Sequence, residues 1–167
     1  MNQKIGIIGL GIMGSAISAN LVKAGFTVTG YDIRPECIET LKGHGGSGAT
    51  CVREVAEAAE VVITSLPSVA ALQEVVSGPE GILAAAPKSL IVVEVSTFPI
   101  EAKQEAFDLL KKAGTHMLDC PLSGTGAQAI SKDLAVYASG DRQLCESCRP
   151  VFDGITGLPP LWHGNCI

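Results

Sequence analysis

A cluster of glycines ends the apolar segment that starts at Lys4, and a helix-like pattern follows it directly. Glycine occupies the first, third and sixth places of this turn, whose residues are Gly9, Leu10, Gly11, Ile12, Met13 and Gly14. Residues 13–23 then carry apolar side chains at helical spacing. The order strand, glycine turn, helix predicts that the chain begins with the first half of a βαβ unit.

The same alternation continues along the chain. Apolar, β-branched runs predict strands at residues 26–31, 48–50, 61–66, 90–95, 116–120 and 134–139. Helices are predicted from Pro35 and over residues 52–59, 68–76, 101–113 and 141–152. We therefore predict an α/β fold: a doubly wound, mainly parallel, Rossmann-like sheet in a single domain, with helices on both faces and right-handed crossovers.

Composition supports this fold class and excludes some partners. The 167 residues suit one domain, and 47% of them are hydrophobic while only 4% are aromatic. The core must therefore be mainly aliphatic, as in buried parallel strands. A net charge of -5 gives the chain no attraction to a phosphate backbone or an anionic membrane surface. We expect neither nucleic acid nor membrane as a partner.

Residues 1–156 are predicted to form the domain, and residues 157–167 an irregular tail with at most one edge strand. No segment approaches the roughly 20 apolar residues that span a bilayer, and the start of the chain does not resemble a secretory signal. The six cysteines are scattered through a chain that is not a small secreted scaffold. We expect free thiols and a cytoplasmic location.

The glycine turn has the spacing of a dinucleotide-binding loop. In that interpretation Gly9 permits the tight turn, Gly11 lets the backbone approach a pyrophosphate, and Gly14 lets the helix pack against the strand. The phosphates would meet the free N–H groups at the helix N-terminus. The alternative is a glycine turn that only links strand to helix.

Asp32 ends the second predicted strand, where an acid can accept hydrogen bonds from both ribose hydroxyls. A carboxylate there repels a 2′-phosphate, which favours NAD over NADP, although the Arg34 guanidinium two residues on opposes that preference. As an alternative, Asp32 caps the helix that begins at Pro35. A methyltransferase loop is disfavoured, because such loops carry an acid where this chain has Ile7.

Further motifs follow the later strands in an order that resembles the beta-hydroxyacid dehydrogenase family, which includes hydroxyisobutyrate, tartronate semialdehyde and phosphogluconate enzymes. Besides the glycine turn and Asp32, the resemblance rests on residues 63–67 (ITSLP), 94–99 (EVSTFP) and 119–127 (DCPLSGTGA). It implies hydride transfer between a small hydroxy acid and a nicotinamide cofactor.

By that resemblance, Leu66 and Pro67 flank the cofactor ribose and Thr97 lies near the nicotinamide. Ser123 and Gly124 hold the substrate carboxylate and hydroxyl. Thr125 stands where the family has a second glycine, so the carboxylate site is expected to be narrowed or reshaped. Small hydroxyls and backbone N–H groups after strand ends suit such a ligand.

The family's general base is a lysine in a G-x-x-G-x-G-x-x-x-K segment that precedes a helical second domain. This sequence stops at Ile167 with only Gly164-Asn165 of that segment, and it has no lysine after Lys132. We therefore assign no catalytic base and expect these residues alone to be inactive or weakly active. The alternative is a non-catalytic dinucleotide-binding or redox-sensing module. An uncovered sheet edge favours a homo-oligomer.

Metal binding is not predicted. Cys145 and Cys148 have C-x-x-C spacing, but they lie in a predicted helix without two further ligands. His44, His116 and His163 are far apart in the sequence and show no ligand spacing. His116 is interpreted as the first residue of a strand.

Overall fold

A computed structural model describes residues 3–85 and 89–164. Its main sheet has six strands, which are β1 (Lys4–Ile8), β2 (Thr27–Tyr31), β3 (Ser47–Gly48), β4 (Val61–Thr64), β5 (Ile91–Glu94) and β6 (His116–Asp119). Every pairing in this sheet is parallel, and the strand order is β3-β2-β1-β4-β5-β6. The predicted doubly wound parallel sheet is confirmed.

Helices connect these strands and cover both faces of the sheet. They are α1 (Ile12–Lys23), α2 (Pro35–Gly43), α3 (Val52–Ala58), α4 (Val69–Ser77), α5 (Ile82–Ala85), α6 (Ile100–Lys112), α7 (Gly126–Ser131), α8 (Arg142–Ser147) and α9 (Arg149–Ile155). Pro35 stands in the first turn of α2 as predicted, and Gly25, just past α1, has a φ of +92°. Among the described residues, no helix is long and apolar enough to cross a membrane.

Alternation along the strands places the residues that pack on the two faces of the main sheet in two separate clusters. Ile5 and Ile7 of β1 pack with residues of α1 and α9, whereas Ile8 packs with residues of α3 and α4. Successive side chains of a strand point to opposite faces, so the central strands β1, β4 and β5 are buried on both sides, whereas β3 at the edge is exposed. This two-sided burial explains why the predicted strands read as continuous apolar runs.

A small second sheet follows the main one. It contains β7 (Leu122–Ser123), β8 (Ala135–Ala138) and β9 (Leu161–Trp162), with β7 antiparallel and β9 parallel to β8. The strand predicted at 134–139 therefore exists but does not extend the parallel sheet. The single strand allowed for the tail is β9, while residues 165–167 lie outside the described part of the chain.

Candidate cofactor site

The candidate site lies at the carboxyl edge of the main sheet. From β1 the chain moves outward to β2 and β3, then returns to the other side of β1 at β4. The strand order reverses between β1 and β4, and open α/β sheets bind ligands in the crevice at such a point. The predicted cofactor-binding residues follow the carboxyl ends of β1, β2, β4 and β5 at this edge, whereas Ser123, Gly124 and Thr125 lie in and after β7 of the second sheet.

Packing requires glycine at two places in the turn between β1 and α1. Gly9 has a φ of +88°, and a Cβ on it would overlap the carbonyl oxygen of Ser65. A Cβ on Gly14 would overlap the carbonyl oxygen of Gly9. The predicted steric reasons for these two glycines, a tight turn and close helix packing, therefore agree with the structure.

Gly11 is different, because a Cβ there would meet only the Arg34 Nη2 atom, at 3.8 Å. Gly11 is also the N-cap residue of α1, and no side chain caps this helix end. The first N–H groups of a helix have no partner within it and carry a partial positive charge. The turn thus offers open space and N–H donors, which is what a pyrophosphate needs.

Asp32 follows β2 and holds the glycine turn from the side. Its Oδ2 accepts the N–H of Leu10 at 2.7 Å, and its Oδ1 accepts the N–H of Arg34 at 2.9 Å. The side chain is only 8% exposed. The alternative role as a cap of α2 is wrong, because Arg34 is the N-cap residue and no side chain caps that helix.

The Arg34 side chain covers part of the same carboxylate. Its Nε lies 3.2 Å from Asp32 Oδ1, and this hydrogen bond raises the pKa of the guanidinium. An ionised carboxylate has about four acceptor directions. Three are used here by Leu10 and Arg34, and displacement of the exposed Arg34 side chain would release one for a ribose hydroxyl.

The loops after β4 and β5 meet across the crevice. The N–H of Leu66 donates to Ser96 Oγ at 2.8 Å, so the two loops are joined at that point. Pro67 and Thr97 are exposed beside this bond. The structure thus places the two segments that the family resemblance assigned to the cofactor next to each other.

The segment after β6 forms β7 and then turns into α7. Ser123 and Gly124 are exposed, and Gly124 has a φ of +141°. Thr125 caps α7: its Oγ1 accepts the N–H of Gln128 at 3.3 Å, while Gln128 Oε1 accepts the N–H of Thr125 at 3.0 Å. The Thr125 hydroxyl is thus already committed to the helix end.

Sequence reasoning missed a buried ion cluster below these loops, formed by Glu94, Lys103 and Asp119. Lys103 Nζ lies 3.0 Å from Glu94 Oε2 and also bonds Asp119 Oδ1. Burial raises the pKa of the Glu94 carboxyl, while Lys103 opposes this shift. Two signals were available: Glu94 ends an otherwise apolar strand, and Lys103 shares the buried face of α6 with Ala106 and Leu110.

The predicted free thiols agree with the structure for the five described cysteines; Cys166 lies outside the described residues. Cys145 and Cys148 are buried, and burial raises the pKa of Cys148 to about 11. Within residues 3–85 and 89–164, no three His, Cys, Asp or Glu side chains are grouped to hold a metal ion. These two cysteines belong to the core behind α8 and α9.

Fold and site together define a dinucleotide-binding α/β domain. A family model described as the NAD binding domain of 6-phosphogluconate dehydrogenase matches residues 4–165. The chain belongs to this family of NAD-binding domains, and its relatives include 3-hydroxyisobutyrate dehydrogenases and related beta-hydroxyacid dehydrogenases.

Two relatives from Pseudomonas aeruginosa illustrate the relationship. NAD-dependent L-serine dehydrogenase is 31% identical over 92% of this chain and 51% of its own length. 3-Hydroxyisobutyrate dehydrogenase is 30% identical over 90% of this chain and 51% of its own length. The chain therefore spans about half the length of these curated relatives.

A solved structure shows the same relationship to this family. The 3-hydroxyisobutyrate dehydrogenase of Mycobacterium tuberculosis, determined with L-serine, is 32% identical and superposes with a TM-score of 0.92. It covers 99% of this chain, which in turn covers 55% of that one. The similarity therefore extends over the whole domain described above.

Proposed function

We propose that this chain supplies the cofactor site and the carboxylate-binding loop of an NAD-dependent dehydrogenase that acts on a small beta-hydroxy acid. The observation that carries the proposal is the meeting of the glycine turn, Asp32 and the joined β4 and β5 loops at one crevice. Two relatives are named for activity on L-serine and on 3-hydroxyisobutyrate, which supports the substrate class.

The residues at the crevice fit a dinucleotide. The open space at Gly11 and the uncapped start of α1 accommodate a pyrophosphate, and Asp32 stands at the end of the neighbouring strand, where a ribose would lie. When bound, NAD supplies the acceptor for a hydride. The buried Asp32 carboxylate disfavours the 2′-phosphate of NADP by charge repulsion and by desolvation of two negative groups.

On the substrate side, Ser123 and Gly124 are the donors we assign to the substrate carboxylate. Both are exposed, and Gly124 adopts a backbone conformation that other residues rarely adopt. Thr125 would act indirectly by capping α7 and so holding this loop. The general base that the family resemblance implies is a lysine, and we assign that role to none of the residues described here.

A reducing, cytoplasmic environment is part of the proposal. It is supported by the free state of the five described cysteines, because oxidising compartments favour disulfides. Self-association is supported by the exposed side chains of Leu158 and Leu161, of which 60% and 50% are accessible. Both statements can be checked by fractionation and by sedimentation.

The first test is a fluorescence titration of the chain with NADH and with NADPH. We expect NADH to bind more tightly than NADPH. We expect Asp32→Ala to lower the affinity for NADH by about tenfold to a hundredfold, which is the contribution of hydrogen bonds to a charged group. The affinity for NADPH should fall less than that for NADH, or should rise, because the repulsion between Asp32 and the 2′-phosphate is removed and Arg34 is released. The preference between the cofactors therefore shrinks.

Two further variants serve as controls for that titration. Asp32→Asn keeps an acceptor for the N–H of Leu10 and so separates the loss of charge from a change in the turn. Asp108→Ala removes an exposed carboxylate on α6, away from the crevice, and should leave both affinities unchanged. An Asp32→Ala variant that binds NADH as tightly as the unaltered chain would contradict the assignment.

A further inference from the structure

The buried ion cluster defined above follows from sheet register. Glu94 of β5 is paired with Asp119 of β6, so the two acids lie side by side at the carboxyl ends of adjacent strands. Both acids lie on the same face of the sheet as Val92 and Met117, which pack in the cluster beneath α6. Lys103 projects from α6 onto this pair and is itself only 3% exposed.

The Lys103 ammonium is held by three partners within the chain. Lys103 Nζ donates to the carbonyl oxygen of Ser96 at 2.6 Å and to Asp119 Oδ1, and it forms an ion pair with Glu94 Oε2 at 3.0 Å. Two of the three ammonium donors are used in these hydrogen bonds, and Lys103 is only 3% exposed. These contacts are directed at the loop that follows β5, and Lys103 is not assigned as the general base.

Ser96 is held by this cluster on both sides of its backbone. Glu94 Oε1 accepts the N–H of Ser96 at 2.9 Å, and Lys103 binds its carbonyl. The Ser96 hydroxyl then accepts the N–H of Leu66. A chain of bonds thus runs from the buried charges through Ser96 to the β4 loop, next to Thr97 on one side and Pro67 on the other.

The glycine turn is held differently. Asp32 fixes Leu10 from the β2 side, and no contact described here joins that bond to the ion cluster. The crevice between β1 and β4 separates the two arrangements. The two halves of an extended dinucleotide would therefore contact different loops, and separate interactions hold those loops in place.

We propose that Ser96 and Lys103 are positioning residues for the nicotinamide half of the cofactor. They hold the β4 and β5 loops at a set distance, while Asp32 and the glycine turn serve the ADP-ribose half. This inference rests on the proposed function. A charged cluster suits the task, because directional bonds to one backbone specify its position, whereas apolar packing stabilises a fold without setting one loop geometry.

The decisive variant is Ser96→Ala, which leaves every charge in place and removes only the acceptor for the N–H of Leu66. Affinity is measured by titration with NADH and, separately, with ADP-ribose. We expect NADH to weaken about tenfold, the scale of one hydrogen bond in a partly buried site, and ADP-ribose to change less than about twofold. Ser96→Thr restores a hydroxyl and should recover NADH binding.

Two controls complete the experiment. Ser77→Ala removes an exposed hydroxyl at the end of α4 and should change neither affinity. Lys103→Met removes the ammonium; where this variant unfolds, Ser96→Ala still gives the answer, since its ion cluster is intact. Equal losses for both ligands in Ser96→Ala, or no loss for either, would overturn the inference while leaving the proposed function standing. An unaltered chain that binds neither ligand would overturn both.

Discussion

Gly11 is the residue of the glycine turn that packing within the chain leaves unexplained. Gly9 and Gly14 are required by contacts with Ser65 and with the turn itself, whereas the space beside Gly11 is open. The fold requires glycine at positions 9 and 14 but not at position 11. The glycine at position 11 is therefore explained better by a bound ligand than by packing within the chain. Gly11 therefore provides a test of ligand binding that is separate from folding.

We expect Gly11→Ala to fold normally and to weaken NADH binding about tenfold or more, because the added methyl group occupies the space through which a pyrophosphate approaches the backbone. Titration with NADH and a thermal unfolding curve measure the two effects. Gly43→Ala is the matched control: a Cβ there also meets open space, at the end of α2 and away from the crevice. Unchanged NADH affinity in Gly11→Ala would show that the phosphates do not lie at this turn.

Among the elements, the predicted strands and helices agree with the structure where the local sequence signals were strong. The segment 141–152 was predicted as one helix but is divided into α8 and α9 at Cys148. Pro150 explains this division, because it has no N–H for the carbonyl four residues earlier and its ring clashes with that carbonyl. The short α7 and β7 were missed although Thr125 and Gln128 form a capping box.

The position of α7 depends on a contact that no local pattern shows. The Asn20 side chain of α1 donates to the carbonyl oxygen of Ala129 in α7 at 2.7 Å, and both residues are buried. This bond joins the helix of the glycine turn to the helix that follows Ser123–Thr125. Asn20 and Ala129 are 109 residues apart in the chain.

We expect Asn20→Ala to lower the free energy of unfolding by about 1–3 kcal/mol, because it leaves the Ala129 carbonyl buried without its donor. Urea unfolding with an unchanged m value measures this loss. Thr40→Ala, which removes an exposed hydroxyl bonded to the carbonyl of Glu36 in α2, should cost within about 0.5 kcal/mol. A loss no larger than that of the control would show that the α1 to α7 contact does not stabilise the fold.

For the molecule as a whole, the buried ion cluster makes stability depend on pH. Burial raises the pKa of Glu94 in the folded state above its unfolded value of about 4.3. The folded chain then binds this proton more tightly than the unfolded chain. The contribution of this carboxyl to stability is complete below the unfolded pKa and is lost as the pH rises through the folded pKa.

We therefore expect Glu94→Gln, measured against the unaltered chain, to show its most favourable difference in free energy of unfolding at neutral pH. That difference should fall as the pH is lowered toward about 4.3. Denaturant unfolding at a series of pH values measures it. Glu105→Gln, which changes an exposed carboxyl on α6, corrects for the removal of one acid. A difference that grows as the pH falls would contradict the direction of the shift.

The local features of this protein could be derived from its sequence alone. The glycine turn, the apolar strands and Asp32 at a strand end depend on neighbouring residues and on simple periodicity, so their order predicted the doubly wound sheet and the cofactor crevice. Only the tertiary structure brought Glu94, Lys103 and Asp119 together. Their meeting depends on the register of β5 with β6 and on the rotation of α6 over them, and no local sequence pattern specifies either.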